Sequence, residues 1–151
     1  MNQQRRTLMQ FTALVGLMAS SGLMTRAEAA TWNEAAFKAK SIDEVVKALG
    51  SSAAPQVSDA IVLRAPDIAE NGAVVPVGLE TSLKATELAL LVEKNPSPLA
   101  AMFVLPAGAE AFATTRVKMG QTSNVYALAK VDGKWLMASK EVKVTLGGCG
   151  G

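Results

Sequence analysis

From Asp59 to the C-terminus, apolar residues alternate with polar ones, and turn residues interrupt the alternation every few positions. No other feature constrains the fold as much. A period of two places successive side chains on opposite faces of an extended strand. The stretch 60–63 stops before Pro66, and 73–79 follows the turn Glu70-Asn71-Gly72. Stretch 87–92 ends at Lys94-Asn95-Pro96, 101–105 at Pro106, and 113–119 at Gly120. Stretch 124–129 runs into Asp132-Gly133, a hairpin signal because both turn positions tolerate positive φ. Stretch 134–137 then pairs back, and 141–146 closes the set. Seven or eight short strands at these spacings predict a mainly β fold, an immunoglobulin-like antiparallel β-sandwich over 56–146. Pro76 has no N–H for a ladder and predicts an edge or a bulge. With a single cysteine no intersheet disulfide forms, so packing alone holds the sandwich. Tyr126 and Trp135 read as sandwich core, and Met102, Met119 and Met137 as core filler rather than metal ligands.

The first 29 residues read as a targeting segment. Arg5-Arg6 precede the apolar run 11–24, and Ala27-Glu28-Ala29 supplies small residues for cleavage near Ala29. The run is too short and too interrupted by Gly and Ser for a membrane anchor, which needs about 20 apolar residues. The paired arginines point to the twin-arginine route, with Gln4 and Leu8 departing from its motif and the general secretory route as the alternative. Removing 1–29 takes Arg5, Arg6, Arg26 and Glu28 from 15 basic and 13 acidic side chains, leaving 12 of each. A neutral mature chain carries no basic field for nucleic acid or an anionic membrane.

Residues 30–55 predict a helical segment and linker. Phe37, Ile42, Val45, Val46 and Leu49 recur at helical spacing, as one amphipathic helix or two short ones. Thr31 with Glu34, and Ser41 with Glu44, have capping-box spacing. Gly50 fits the position just past the helix, where positive φ costs glycine little. Ser51 to Pro55 reads as linker.

The chain ends Gly147-Gly148-Cys149-Gly150-Gly151. Glycine is a poor residue to fix in one conformation, so this run predicts a flexible arm carrying the sole thiol. If Leu146 is the last anchored residue, the arm carries the Cys149 backbone out by roughly 10 Å. Flanking glycines give Cys149 no apolar surface to bury against; the competing reading is a disulfide between two copies. The chain has no histidine, hence no imidazole base and no Cys–His pair, and with one cysteine there is no structural zinc site and no CxxC pair. No metal, cofactor or phosphate-loop motif is present, so the expected catalytic residues and cofactors are none. Arg116 and Lys118 on the strand 113–119, with Lys130 and Lys134 flanking the hairpin, can draw an anion towards the arm, although a solvated strand face accounts for them better.

Three groups of residues together resemble one family: 69–77 (Ala-Glu-Asn-Gly-Ala-Val-Val-Pro-Val), 94–99 with 115–119, and the terminal Val-Thr-Leu-Gly-Gly-Cys-Gly-Gly. The mature chain resembles SoxY, the sulfur-carrier subunit of the periplasmic Sox thiosulfate-oxidising system. The resemblance implies that Cys149 is the covalent attachment point for sulfur, with Gly147, Gly148, Gly150 and Gly151 as the arm that moves it. It implies a periplasmic carrier, not an enzyme. It also implies a heterodimer with a small β-sandwich subunit of SoxZ type, which lacks its own export signal and travels across folded. Further partners would be a haem enzyme that conjugates thiosulfate, a hydrolase that releases sulfate, and in some systems a sulfane dehydrogenase. Nothing near Cys149 in sequence lowers its pKa from about 8.5, so activation falls to those partners. Two other readings compete: an exported assembly subunit with a dispensable arm, and a ubiquitin-like carrier holding sulfur on the Gly151 carboxylate, which requires a β-grasp fold.

Overall fold

A computed structural model describes residues 33–145. Residues 1–32, with the expected targeting segment and Thr31, and 146–151, with Leu146, Cys149 and its glycines, lie outside the described residues. Among the described residues two helices, α1 (Glu34–Lys38) and α2 (Ile42–Ala48), precede nine strands. These are β1 (Gln56–Val57), β2 (Ile61–Arg64), β3 (Ile68–Ala69), β4 (Val75–Thr81), β5 (Ala85–Val92), β6 (Leu99–Val104), β7 (Ala111–Val117), β8 (Ser123–Val131) and β9 (Lys134–Val144). One sheet runs β1-β9-β8-β5-β6, with β3 also on β9; the other runs β2-β4-β7. The two face each other as an immunoglobulin-like sandwich, and the helices cover the outer face of the larger sheet.

The run Leu88 to Val92 is apolar without alternation, and its place explains why. β5 is central in the larger sheet and is covered on both faces, which removes the need for a polar side. Leu88, Leu90 and Val92 point into the sandwich beside Leu79, Val75, Val125, Met119 and Val142. Ala89 and Leu91 point the other way, under the helices. Each fully buried leucine contributes about 1.5–3 kcal/mol relative to exposure.

The second core corrects the expected placement of the large side chains. Trp135 and Tyr126 were expected between the sheets; both lie on the opposite face, with Ala36, Val45, Val46, Leu49 and Leu128, and Met102 and Met137 pack there too. Only Met119 of the named residues is in the sandwich. Strand parity decides this: on β8, Val125, Ala127 and Ala129 face inwards, so Tyr126 and Leu128 face the helices. A five-residue helix cannot persist alone. This apolar face, together with an Asn33 Nδ2 bond to the Ala48 carbonyl (2.9 Å) and a Lys40 Nζ bond to that of Pro96 (3.2 Å), holds the pair in place.

The caps agree with the expectation in part. Ser41 Oγ accepts from the Glu44 N–H at 3.2 Å, and Glu44 reaches back to the N–H of Lys40 at 2.7 Å. At α1 the cap is Asn33, whose Oδ1 accepts from the Ala36 N–H at 3.0 Å; the expected Thr31 lies outside the described residues. Gly50 has φ +79°, as its position past α2 requires.

The expected strands 134–137 and 141–146 are one strand. β9 pairs with β8 without a break from Val131↔Lys134 to Ser123↔Val142. Ala138, Ser139 and Lys140 look like a loop by composition, but Ala127, Tyr126 and Val125 lie opposite them. β1 and β3, two residues each, run parallel to β9 at its two ends, and between them the chain crosses to the other sheet as β2. Pro76 sits in the middle strand of its sheet, yet β2 ends at Arg64↔Gly78, so only β7 lies beside Pro76. The expected edge is therefore a local one, and the missing N–H costs no second ladder.

Candidate functional site

Cys149 and the four glycines lie outside the described residues, so the site visible here is the ground from which they depart: the end of β9. Three turns gather around that end. They are the β3–β4 turn at Asn71-Gly72, the β5–β6 turn at Lys94-Asn95-Pro96, and the β7–β8 connection from Lys118 to Thr122.

Each is pinned by hydrogen bonds. In the β3–β4 turn, Asn71 Oδ1 accepts from the Ala73 N–H at 3.0 Å. The Met119 N–H donates to the Gly72 carbonyl at 2.6 Å, drawing that turn onto the β7–β8 connection. This approach is close enough that a Cβ on Gly72 would overlap the Met119 carbonyl oxygen and lie 2.9 Å from Val144 Cγ1. Asn95 Nδ2 donates to the Lys118 carbonyl at 2.8 Å, tying in the β5–β6 turn. Buried Ser123 Oγ accepts from the Lys94 N–H and donates to the Asn124 carbonyl, both at 3.0 Å.

β9 ends inside this frame. The Lys143 N–H donates to the Asp67 carbonyl at 3.0 Å, and the Val144 N–H donates to Thr122 Oγ1 at 3.0 Å. The Thr145 N–H donates to the Ala69 carbonyl at 3.2 Å. Thr145 is thus anchored four residues before Cys149. A four-residue extended span covers at most about 14 Å.

That reach sorts the cations named from the sequence. Lys130 and Lys134 adjoin the Asp132-Gly133 hairpin, at the opposite end of β9 from Val144. An 11-residue strand is about 35 Å long, so neither is near the arm's origin. Lys130 has other partners: its Nζ lies 2.7 Å from Glu87 Oε1 and 5.6 Å from the centre of the Trp135 ring. Lys118 belongs to the frame. With Lys94, Asn95, Pro96, Gly120 and Gln121 it lines an open hollow of about 420 Å³. Lys94, Lys118 and Lys143 are all exposed.

Titration elsewhere has plain causes. Asp67 is held below the usual carboxylate range, chiefly by its hydrogen bond with Lys140 and then by the Lys140 and Lys143 charges. Burial, with help from the Glu93 charge, raises the Tyr126 phenol. Among the described residues no group of three or more His, Cys, Asp or Glu side chains is placed to hold a metal ion.

Sequence reasoning missed Thr122, Ala69 and Gly72 as a unit. Each stands in what reads as an ordinary turn, and no periodicity reports that three turns meet. The available signal was indirect: 69–77, 94–99 and 115–119, the stretches that carry the resemblance, are those the fold brings together at the arm's root.

The described fold is thus an immunoglobulin-like sandwich whose last strand is pinned through Thr145. The family model for sulfur oxidation protein SoxY matches residues 45–149, a span that includes Cys149. The chain belongs to the SoxY family, a family of sulfur carriers rather than enzymes. The sulfur carrier protein SoxY of Chlorobium limicola f thiosulfatophilum is 37% identical, with a TM-score of 0.64, over 76% of this chain and 100% of that one. A single-substitution variant of the superoxide reductase (neelaredoxin) of Ignicoccus hospitalis is 17% identical, with a TM-score of 0.50, over 56% of this chain and 79% of that one. At that identity it shares the fold alone. The sequence has no significant match among curated proteins.

Proposed function

We propose that the mature protein is a periplasmic carrier that holds sulfur intermediates covalently on Cys149 and delivers them to partner enzymes. The observation that carries this reading is the anchoring of Thr145, four residues before the only thiol of a SoxY-family chain. Hydrogen bonds hold the chain to the body up to that point. The β-sandwich also disposes of the ubiquitin-like alternative, which needs a β-grasp fold.

The chemistry asks little of the carrier itself. The Cys149 thiolate joins the sulfane sulfur of thiosulfate in a new S–S bond, and the two electrons released go to a haem enzyme. Water then cleaves the bond to the sulfonate sulfur, releasing sulfate and two protons and leaving a persulfide on Cys149. A sulfane dehydrogenase would oxidise that remaining sulfur. A free cysteine titrates near 8.5, so the partner enzymes lower the barrier by stabilising the thiolate. A SoxZ-type subunit completes the heterodimer, and the tether raises the effective concentration of cargo at each successive enzyme.

Mass spectrometry of protein purified from thiosulfate-grown cells tests the reading. Adducts that map to Cys149 and disappear on reduction are expected. Cys149→Ser should fold and pair normally yet carry no sulfur. An unmodified tail, or undiminished thiosulfate-dependent turnover by the serine variant, would leave the assembly-subunit reading standing instead.

A further inference from the structure

We infer that β6 is a self-pairing edge: its open side takes the β6 of a second copy of this chain, antiparallel about a two-fold axis at Phe103, and joins the two larger sheets into one. The inference is independent of the carrier reading and uses described residues only.

A free strand edge offers unpaired N–H and carbonyl groups to any other chain, and proteins ordinarily blunt it with charge, proline, shortness or a cover. Among the described residues every edge but one is blunted. β9 is flanked by the short β1 and β3. β2 has four residues, carries Arg64 and runs towards Pro66. β7 carries the exposed Arg116, with exposed Lys118 just beyond it. β6, Leu-Ala-Ala-Met-Phe-Val, has six residues with no charge and no proline, and it pairs on one side only. Its Val104 is 59% exposed, a large apolar side chain left bare on an edge.

The register fixes which groups are open. The Leu105 N–H donates to the Thr86 carbonyl at 2.9 Å, so Leu105 turns its backbone groups to β5. Direction alternates along a strand. Phe103 and Ala101, opposite Leu88 and Leu90, therefore also turn to β5, while Met102 and Val104 turn their N–H and carbonyl groups to the open side. A two-fold pairing centred on Met102 would set Val104 against Ala100, the residue at which the β5–β6 register shifts. One centred on Val104 would set Met102 against Pro106, which has no N–H to give. Centred on Phe103, Met102 meets Val104 of the second copy and Val104 meets its Met102, and all of these donors and acceptors are used. Phe103 then lies beside its own symmetry mate in the closer, non-hydrogen-bonded type of pair.

A second copy fits because the edge is complementary to itself. Every side chain that meets across the axis is apolar, and a two-fold contact needs only one such patch. Residues 30–151 carry 12 basic and 12 acidic side chains, so no net charge holds two copies apart.

Sedimentation of the mature protein in reducing agent, which removes any Cys149 disulfide, tests this. A dimer that dissociates on dilution is expected. Val104→Lys places a charge where the pair excludes water, yet at an exposed position of the single chain, and should weaken the dimer at least about tenfold. Val104→Thr keeps the branched shape and should pair as the parent does. The measurement that needs no variant is amide exchange: Met102 and Val104 should exchange at least about tenfold more slowly in the dimer than after dilution, with Phe103, already bonded to β5, unchanged. A monomer at every concentration would overturn the inference. So would a dimer that Val104→Lys leaves intact, or one in which Met102 and Val104 exchange as fast as in the diluted protein. A protein that is monomeric alone but loses a co-purifying subunit on Val104→Lys would give this edge to that subunit and overturn self-pairing. None of these readouts involves sulfur loading, so failure here is distinct from failure of the carrier reading.

Discussion

At Gly72 the chain passes so near the Met119 backbone that a methyl group has no room. Gly72→Ala should therefore cost about 1–3 kcal/mol, the range for forcing extra volume into a packed site. Gly120→Ala is the matched control. A Cβ there meets nothing within 4 Å, and its effect should stay within about 0.5 kcal/mol. Chemical denaturation of the two variants checks both numbers, and equal losses would mean that the close approach does not govern Gly72. The sequence marks Gly72 as a turn residue beside Asn71, which it is. That Gly72 also abuts Val144, 72 positions later, depends on a contact no local pattern encodes.

Among elements, the helices matter more than their length suggests. The α1–α2 pair covers Ala89, Leu91, Leu128 and Trp135 on the outer face of the larger sheet. Deleting residues 30–55 should leave that face bare, an apolar patch of a kind soluble monomers rarely expose. The truncated protein should bind a hydrophobic dye and aggregate, whereas a soluble, dye-silent monomer would show that the layer is dispensable. Trp135→Ala should cost about 3–5 kcal/mol by opening a cavity in that core, measurable as a shift in the denaturation midpoint. The buried indole Nε1 has no hydrogen-bond partner within the described chain, so the residue contributes through its volume rather than through a polar bond. Most strands were legible because half-buried antiparallel strands alternate. β1 and β3 were not, because two residues carry no period, and β9 was read as two strands because Ala138-Ser139-Lys140 lacks apolar bulk.

Over the whole molecule, the pH response follows from what titrates. The chain has no histidine, so thermal stability should be flat from about pH 5 to 8. Asp67 binds its proton less readily when folded, because Lys140 holds the charged form. The unfolded chain therefore takes up protons first: the Asp67 contribution is present in full above about pH 4 and fades as pH falls through its lowered folded value. Asp67 is exposed, so the effect is small, and Asp67→Asn should slightly flatten the acid limb of a melting-temperature profile. A steep change near pH 6.5 would contradict the assignment. By itself the sequence determined the fold class, the strand-forming stretches and a lone thiol among glycines, because alternation, turn chemistry and residue type are local properties. Only the tertiary structure decided which face of each strand meets helices, which lysines stand near the arm's origin and which hydroxyl clamps the last strand. Those depend on strand pairing and parity, which bring residues 69–72, 118–122 and 144–145 together across distances no sequence window spans.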